Sequence, residues 1–160
     1  MPAVLSVDGL YRYRLSREWG GGPSLAFIML NPSTADADID DRTIRRCMRF
    51  ARGAGYDSIV VGNLFGWRAT KPVELKTATA PVGPDNDTAL AEIIAGALLV
   101  ICAWGARGTL LNRDRSVLRM IGELKKVPYC LAITSTGHPA HPLYLPAHLR
   151  PIPFLSRLPE

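Results

Sequence analysis

The chain has 160 residues, 48% of them apolar and 21% charged, a balance that excludes an intrinsically disordered protein and suffices for one domain, residues 1–160, with its own core. Lys and Arg (19) outnumber Asp and Glu (14), and the resulting +5 at neutral pH points to an anionic partner, nucleic acid being the first to consider. Cys47, Cys102 and Cys130 lie far apart with no C-x-x-C pair, which argues against a disulfide framework, zinc or an iron–sulfur cluster; they read as buried, reduced thiols of a cytoplasmic protein.

In chain order, Tyr11 to Leu15 alternates apolar and polar residues, the pattern of a half-exposed strand after an Asp8-Gly9 turn. Gly20 to Pro23 breaks the chain before Ser24 to Leu30, a continuous apolar run of buried-strand type. Asp40 or Asp41 caps a helix from about Arg42 to Gly53. Its core face is Ile44, Cys47, Met48 and Ala51, and its arginines fall on the opposite arc. Asp57 to Leu64 is a second buried strand, followed by a polar loop through Pro72. A second helix runs from Pro84–Asp87 to about Ala97, a third strand covers Leu98 to Ala103, and a third helix Thr109 to Leu124. Tyr129 to Thr134 is the fourth core strand. No N-terminal apolar run suggests a signal peptide, and the longest apolar stretch, Ile93 to Trp104, is too short to span a bilayer. The alternation predicts an α/β fold: a three-layer αβα domain with a central four-stranded, mainly parallel sheet and an added N-terminal strand or hairpin.

Open α/β sheets bind ligands outside the carboxyl ends of their strands. Four segments leave those ends: Asn31-Pro32-Ser33-Thr34, Asn63-Leu64-Phe65, Trp104-Gly105 and Gly137-His138-Pro139. Asn31, Asn63 and His138 are therefore expected in one pocket. No P-loop, metal-ligand spacing or Ser–His–Asp arrangement occurs, so neither a cofactor nor a metal is expected.

In their order, these segments resemble the uracil-DNA glycosylase superfamily, whose mismatch-specific branch carries Ile-Asn-Pro-Gly where this chain has Leu30-Asn31-Pro32-Ser33, and whose His-Pro-Ser is matched by His138-Pro139-Ala140. The resemblance runs from about Ala26 to Leu145. The chain looks closer still to an uncharacterised bacterial family, domain of unknown function 1643, with its NPSTAD, NLF-x-x-RAT, GP-x-ND and GHP-x-HPLY segments. Two departures from the superfamily stand out: Met29 replaces a glycine two residues before Asn31, and Ala140 replaces the serine after His-Pro.

The resemblance implies a nucleobase-directed N-glycosidase that extrudes uracil or a 5-substituted base from DNA. In that reading Asn31 orients water, since its amide does not titrate, and His138 stabilises the departing base anion. Asn63 reads the base edge, and the small Ser33 leaves room at C5. Phe65, Trp67 and Trp104 are stacking candidates, and His141 is a second anion stabiliser. Arg68 and Lys71 are the preferred phosphate contacts, with the α-helical stripe of Arg42, Arg45, Arg49 and Arg52 as a further basic surface. Met29 and Ala140 keep open a non-catalytic module that binds nucleic acid or nucleotides, and the modest charge keeps open an enzyme acting on free nucleotides or modified bases.

Overall fold

The computed structural model describes residues 3–33 and 41–154. Within them the chain is α/β, with a mixed seven-stranded sheet and three α-helices. The strands are β1 (Ala3–Leu5), β2 (Arg12–Glu18), β3 (Ser24–Met29), β4 (Ser58–Asn63), β5 (Leu99–Cys102), β6 (Pro128–Cys130) and β7 (Ile152–Pro153). The helices are α1 (Arg42–Gly53), α2 (Asn86–Gly96) and α3 (Arg113–Glu123).

The sheet order is β1-β2-β4-β3-β5-β6-β7. β3 pairs in parallel with both β4 and β5, and β5 with β6, whereas β1, β2 and β7 join antiparallel. The expected four-stranded, mainly parallel sheet with an added N-terminal strand or hairpin is thus corrected to one mixed seven-stranded sheet, in which β1 and β2 are integral and β7 is an edge strand that was not expected. Short edge pairings such as Tyr129↔Pro153 and Cys130↔Ile152 depend on a partner distant in sequence, which local periodicity cannot reveal. The fourth run is shorter than expected, because the chain leaves the sheet after Cys130 and folds into a turn closed by an Ile133↔Pro139 bridge.

Side chains alternate across the sheet, so each core strand supplies both faces. Leu25, Phe27 and Met29 of β3 pack with Ile59, Val61 and Ile101 under α1, through Ile44, Cys47, Phe50 and Ala51. Ala26, Ile28 and Leu30 face the other way, with Val100 and Cys102, toward Leu90, Ile93 and Ile94 of α2 and Val117 and Ile121 of α3. Gly62 lets α2 approach closely: a Cβ there would stand 2.9 Å from Leu90 Cδ2 and 3.0 Å from Ile93 Cδ1. The three cysteine thiols are buried and unbridged, and burial raises each pKa above the ordinary thiol value.

Asp41 caps α1, its carboxylate accepting from the Ile44 amide at 2.8 Å. The alternative cap, Asp40, lies outside the described residues, as does the Thr34-Ala35-Asp36 part of the motif after Asn31. The third helix starts at Arg113; Leu111 and Asn112 before it have φ of 55° and interrupt the expected helix from Thr109. No helix among the described residues is long and apolar enough to cross a membrane.

Candidate functional site

Three loops meet at the carboxyl ends of the parallel strands. The segment after β4 runs beside the segment after β3, with Leu64 N–H donating to Met29 O, Phe65 N–H to Leu30 O and Ala69 N–H to Pro32 O. Asn31 reinforces this seam, because its amide Nδ2 donates to Ala69 O at 3.0 Å and to Pro32 O at 3.1 Å. Both N–H groups are thereby used and the orientation of the amide is set. Its Oδ1, with no hydrogen bond among the described residues, remains an acceptor.

Asn63 ends β4 and is only 3% exposed. Its backbone carbonyl accepts from Asn86 Nδ2 at 2.9 Å, but its side chain makes no hydrogen bond among the described residues. Neither polar atom of this carboxamide is sealed inside the protein; both stay accessible where the side chain meets a cavity. The cavity it lines, about 470 Å³, is where a partner would come from.

That cavity joins Asn31, Ser33, Asn63, Trp104 and His141 with residues that sequence reasoning did not single out as site residues: Arg12, Asp41, Thr43, Thr70 and Arg107. Arg12 is the least expected. Alternation along β2 assigned it to solvent, yet it is 4% exposed, because the loop after β4 folds over it; Arg12 N–H donates to Gly66 O, and Tyr11 bridges Trp67. Burial lowers its guanidinium pKa to about 10; nearby Asp41 opposes the shift, and Arg68 and Arg17 add to it. Tyr11 and Tyr13, on either side of Arg12, stack on each other at 5.9 Å between centroids on the opposite face of the strand, so no local pattern marked the Arg12 face as covered.

Ser33 Oγ donates to Asp41 Oδ2 at 3.0 Å, fixing the cavity's rim to the first turn of α1. His141 Nδ1 accepts from the Leu143 amide at 3.2 Å, so the neutral ring carries its proton on Nε2. Desolvation lowers the His141 pKa and the Asp41 carboxylate partly offsets this, which leaves a neutral imidazole at pH 7.

His138 is not in this cavity. It lines a second one of about 570 Å³ on the other side of Trp104, with Asp114, Arg115, Thr134 and Thr136. The reason is the tight turn after β6. Thr134 N–H donates to His138 O at 2.8 Å, His138 N–H donates to Thr134 Oγ1 at 3.0 Å, and Gly137 turns the chain at φ 89°. The expected grouping of Asn31, Asn63 and His138 is thereby corrected to Asn31, Asn63 and His141.

The remaining candidates divide. Phe65 has no exposed surface and belongs to the core under α2 and α3, so it is not available for stacking. Trp104 is 2% exposed and stands in the wall between the two cavities. Trp67 packs edge-on against Tyr11 at 5.5 Å. Arg68 is half-buried and donates to Gly9 O at 3.1 Å, a tie that serves the β2 loop, whereas Lys71 is exposed at the start of the turn Pro72–Lys76. Arg42, Arg45 and Arg49 line a separate surface hollow with Arg46. Among the described residues no group of three or more His, Cys, Asp or Glu could hold a metal ion.

Fold and site together define an α/β protein with an arginine-bearing cavity at the carboxyl edge of its parallel strands, apolar over most of its wall and set with a few polar side chains. The chain belongs to a family described as protein of unknown function (DUF1643), whose model matches residues 12–143, a span that includes every residue named in the cavity wall. No curated protein and no solved structure matches it.

Proposed function

We propose that the Asn31–Asn63–His141 cavity binds a nucleobase and that the protein is a nucleobase-directed N-glycosidase of the uracil-DNA glycosylase type. The observation that carries this reading is Asn63: a carboxamide with a donor and an acceptor unused, on a residue only 3% exposed, opening on a cavity with room for a nucleobase. One face of a pyrimidine or purine edge offers the complementary pair.

The chemistry requires little covalent help. As the N-glycosidic bond breaks, its electron pair leaves with the base and the sugar becomes oxocarbenium-like. Water adds to the sugar carbon, and the proton it loses neutralises the departed base anion. Asn31 Oδ1, held by the two bonds of its own amide nitrogen, accepts from that water and orients it. His141, neutral with its proton on Nε2, donates to the base oxygen on which charge develops, so the role expected of His138 passes to His141. Arg12 adds a fixed positive charge to the wall.

A second reading is favoured by that same arginine. A guanidinium 4% exposed in a ligand cavity suits a phosphate, and hence a free nucleotide that is bound rather than cleaved.

Single-turnover cleavage tests the first reading, with oligonucleotides carrying uracil, hydroxymethyluracil, hypoxanthine or mismatches and alkali to reveal abasic sites. The parent protein is expected to cleave at least one. His141→Ala should slow that cleavage about a hundred- to a thousand-fold with little change in binding, and Asn63→Ala should weaken binding and base choice together. His138→Ala should stay within a few-fold of the parent. A dependence on His138 in place of His141 would overturn the assignment, and binding of nucleoside monophosphates without turnover of any oligonucleotide would establish the second reading.

A further inference from the structure

The outer face of α1 gathers four arginines around one surface hollow, and neither the cavity nor its chemistry uses it. Arg42, Arg45, Arg46 and Arg49 follow one another at i, i+3, i+4 and i+7 and, with Leu143, surround a surface hollow of about 340 Å³. The helix has no acidic residue along its length to offset them. Arg42, Arg46 and Arg49 form no side-chain hydrogen bond or ion pair among the described residues. Arg52, at the end of the same helix, is committed elsewhere, lying 4.6 Å over the Trp19 ring.

Like charges at these spacings repel within one helix, so the stripe works against the helix that carries it. All four cations are arginine, whose planar fork binds phosphate through two parallel hydrogen bonds, rather than lysine. Beside the hollow, the short turn Pro142–Tyr144 packs on α1 and leaves Tyr144 84% exposed.

The patch is continuous with the cavity. Asp41, the cap of α1, and Thr43 and Ile44 of its first turn line the cavity, while the intervening Arg42 faces the hollow; likewise His141 lines the cavity and Leu143 the hollow. We infer that the outer face of α1 is the docking surface for a single-stranded polynucleotide, with its phosphates on Arg42, Arg45, Arg46 and Arg49 and a base stacked on Tyr144. A base from that strand reaches the cavity over the shared first turn. A single strand fits better than a duplex, whose bases are stacked on each other and closed to Tyr144, and it yields a base to the cavity without unpairing. The inference names the substrate class for the nucleobase reading and rests on that reading for what enters the cavity; the docking surface stands on the arginines alone.

Fluorescence anisotropy of a labelled oligo-thymidine of about 12 nucleotides, titrated with the full chain from about 50 to 200 mM salt, tests it. Arg42→Ala, Arg46→Ala and Arg49→Ala should each reduce the slope of log K against log salt by about 0.7, the single-strand value per phosphate. Arg119→Ala, the same charge change on exposed α3, should leave the slope unchanged. Tyr144→Ala should weaken the single strand about five- to 150-fold, the range of one lost stack, and leave its salt slope unaltered. The matching duplex should bind more weakly than the strand. Equal effects of Arg119→Ala and the α1 variants would overturn the inference, as would preference for duplex or arginine-dependent binding to phosphatidylserine vesicles without binding to the oligonucleotide. Failure of the cavity reading looks different: binding remains dependent on α1, but strands with modified and ordinary bases are bound and left intact alike.

Discussion

Asn86 holds the carboxyl end of β4 in place. Wholly buried, it donates from Nδ2 to Asn63 O at 2.9 Å and to Leu64 O at 3.1 Å, the two carbonyls on either side of the turn that presents Asn63. Asn86→Ala leaves the second carbonyl to Arg113 Nε, at 3.0 Å, and the first without this donor. A loss of about 2–4 kcal/mol is expected, read from the urea midpoint with an unchanged slope. His141 gives a second test at this scale. Desolvation sets its pKa below 6.5, so its NMR titration should fall below that value, and Asp41→Asn should lower it further by removing the opposing charge. The linkage follows: with the folded value depressed, the unfolded chain protonates first as pH falls. Any stability from the neutral ring is therefore present above 6.5 and lost as pH falls toward the folded pKa. A midpoint at or above 6.5 would mean that Asp41 outweighs burial.

Among the elements, the segment from β5 into α3 sets the partition between the two cavities. Trp104 is held from below by Gly108, where a Cβ would overlap the indole, and Gly105 N–H donates to Pro139 O at 2.8 Å. Gly108→Ala must move Trp104, which is the shared wall. It should cost about 1–3 kcal/mol and change tryptophan emission, while perturbing ligand binding at the Asn63 cavity although no residue there is altered. Unchanged binding with lowered stability would show that the two cavities are not coupled through Trp104. At this scale the sequence was most informative for α1, where core and arginine stripes were both visible in the 3.6-residue period, and for β3 and β5, whose apolar runs face helices on both sides. It was least informative after β6, where the turn carrying His138 is held by hydrogen bonds of the Thr134 main chain and hydroxyl rather than by any periodic pattern.

At the level of the whole molecule, β2 connects the sheet to the site. It covers the outer edge of β4 through Leu15↔Val61, Ser16↔Val60, Arg17↔Ile59 and Glu18↔Ser58, and it brings Arg12 to the cavity. The turn after it is pinned over β4 by Trp19 N–H to Asp57 O and Asp57 N–H to Pro23 O. Removal of residues 1–18 should therefore expose an apolar strand edge as well as delete Arg12. Loss of a cooperative thermal transition and concentration-dependent association in size-exclusion chromatography are expected; a monomer with the parent's melting temperature would show that β2 is dispensable to the sheet. What the sequence by itself determined was local: the α/β alternation, the core runs, the cap at Asp41, and the gathering of Asn31, Asn63 and Trp104 at strand ends, each set by backbone period and turn chemistry within a few residues. Only the tertiary structure decided that seven strands pair, that Arg12 is buried, that Phe65 belongs to the core, and that His141 rather than His138 joins the two asparagines. The first three outcomes depend on which loop or strand covers which, through packing and hydrogen bonds between residues tens of positions apart; the last turns on a short hydrogen-bonded turn from Thr134 to His138 that no periodic pattern marks.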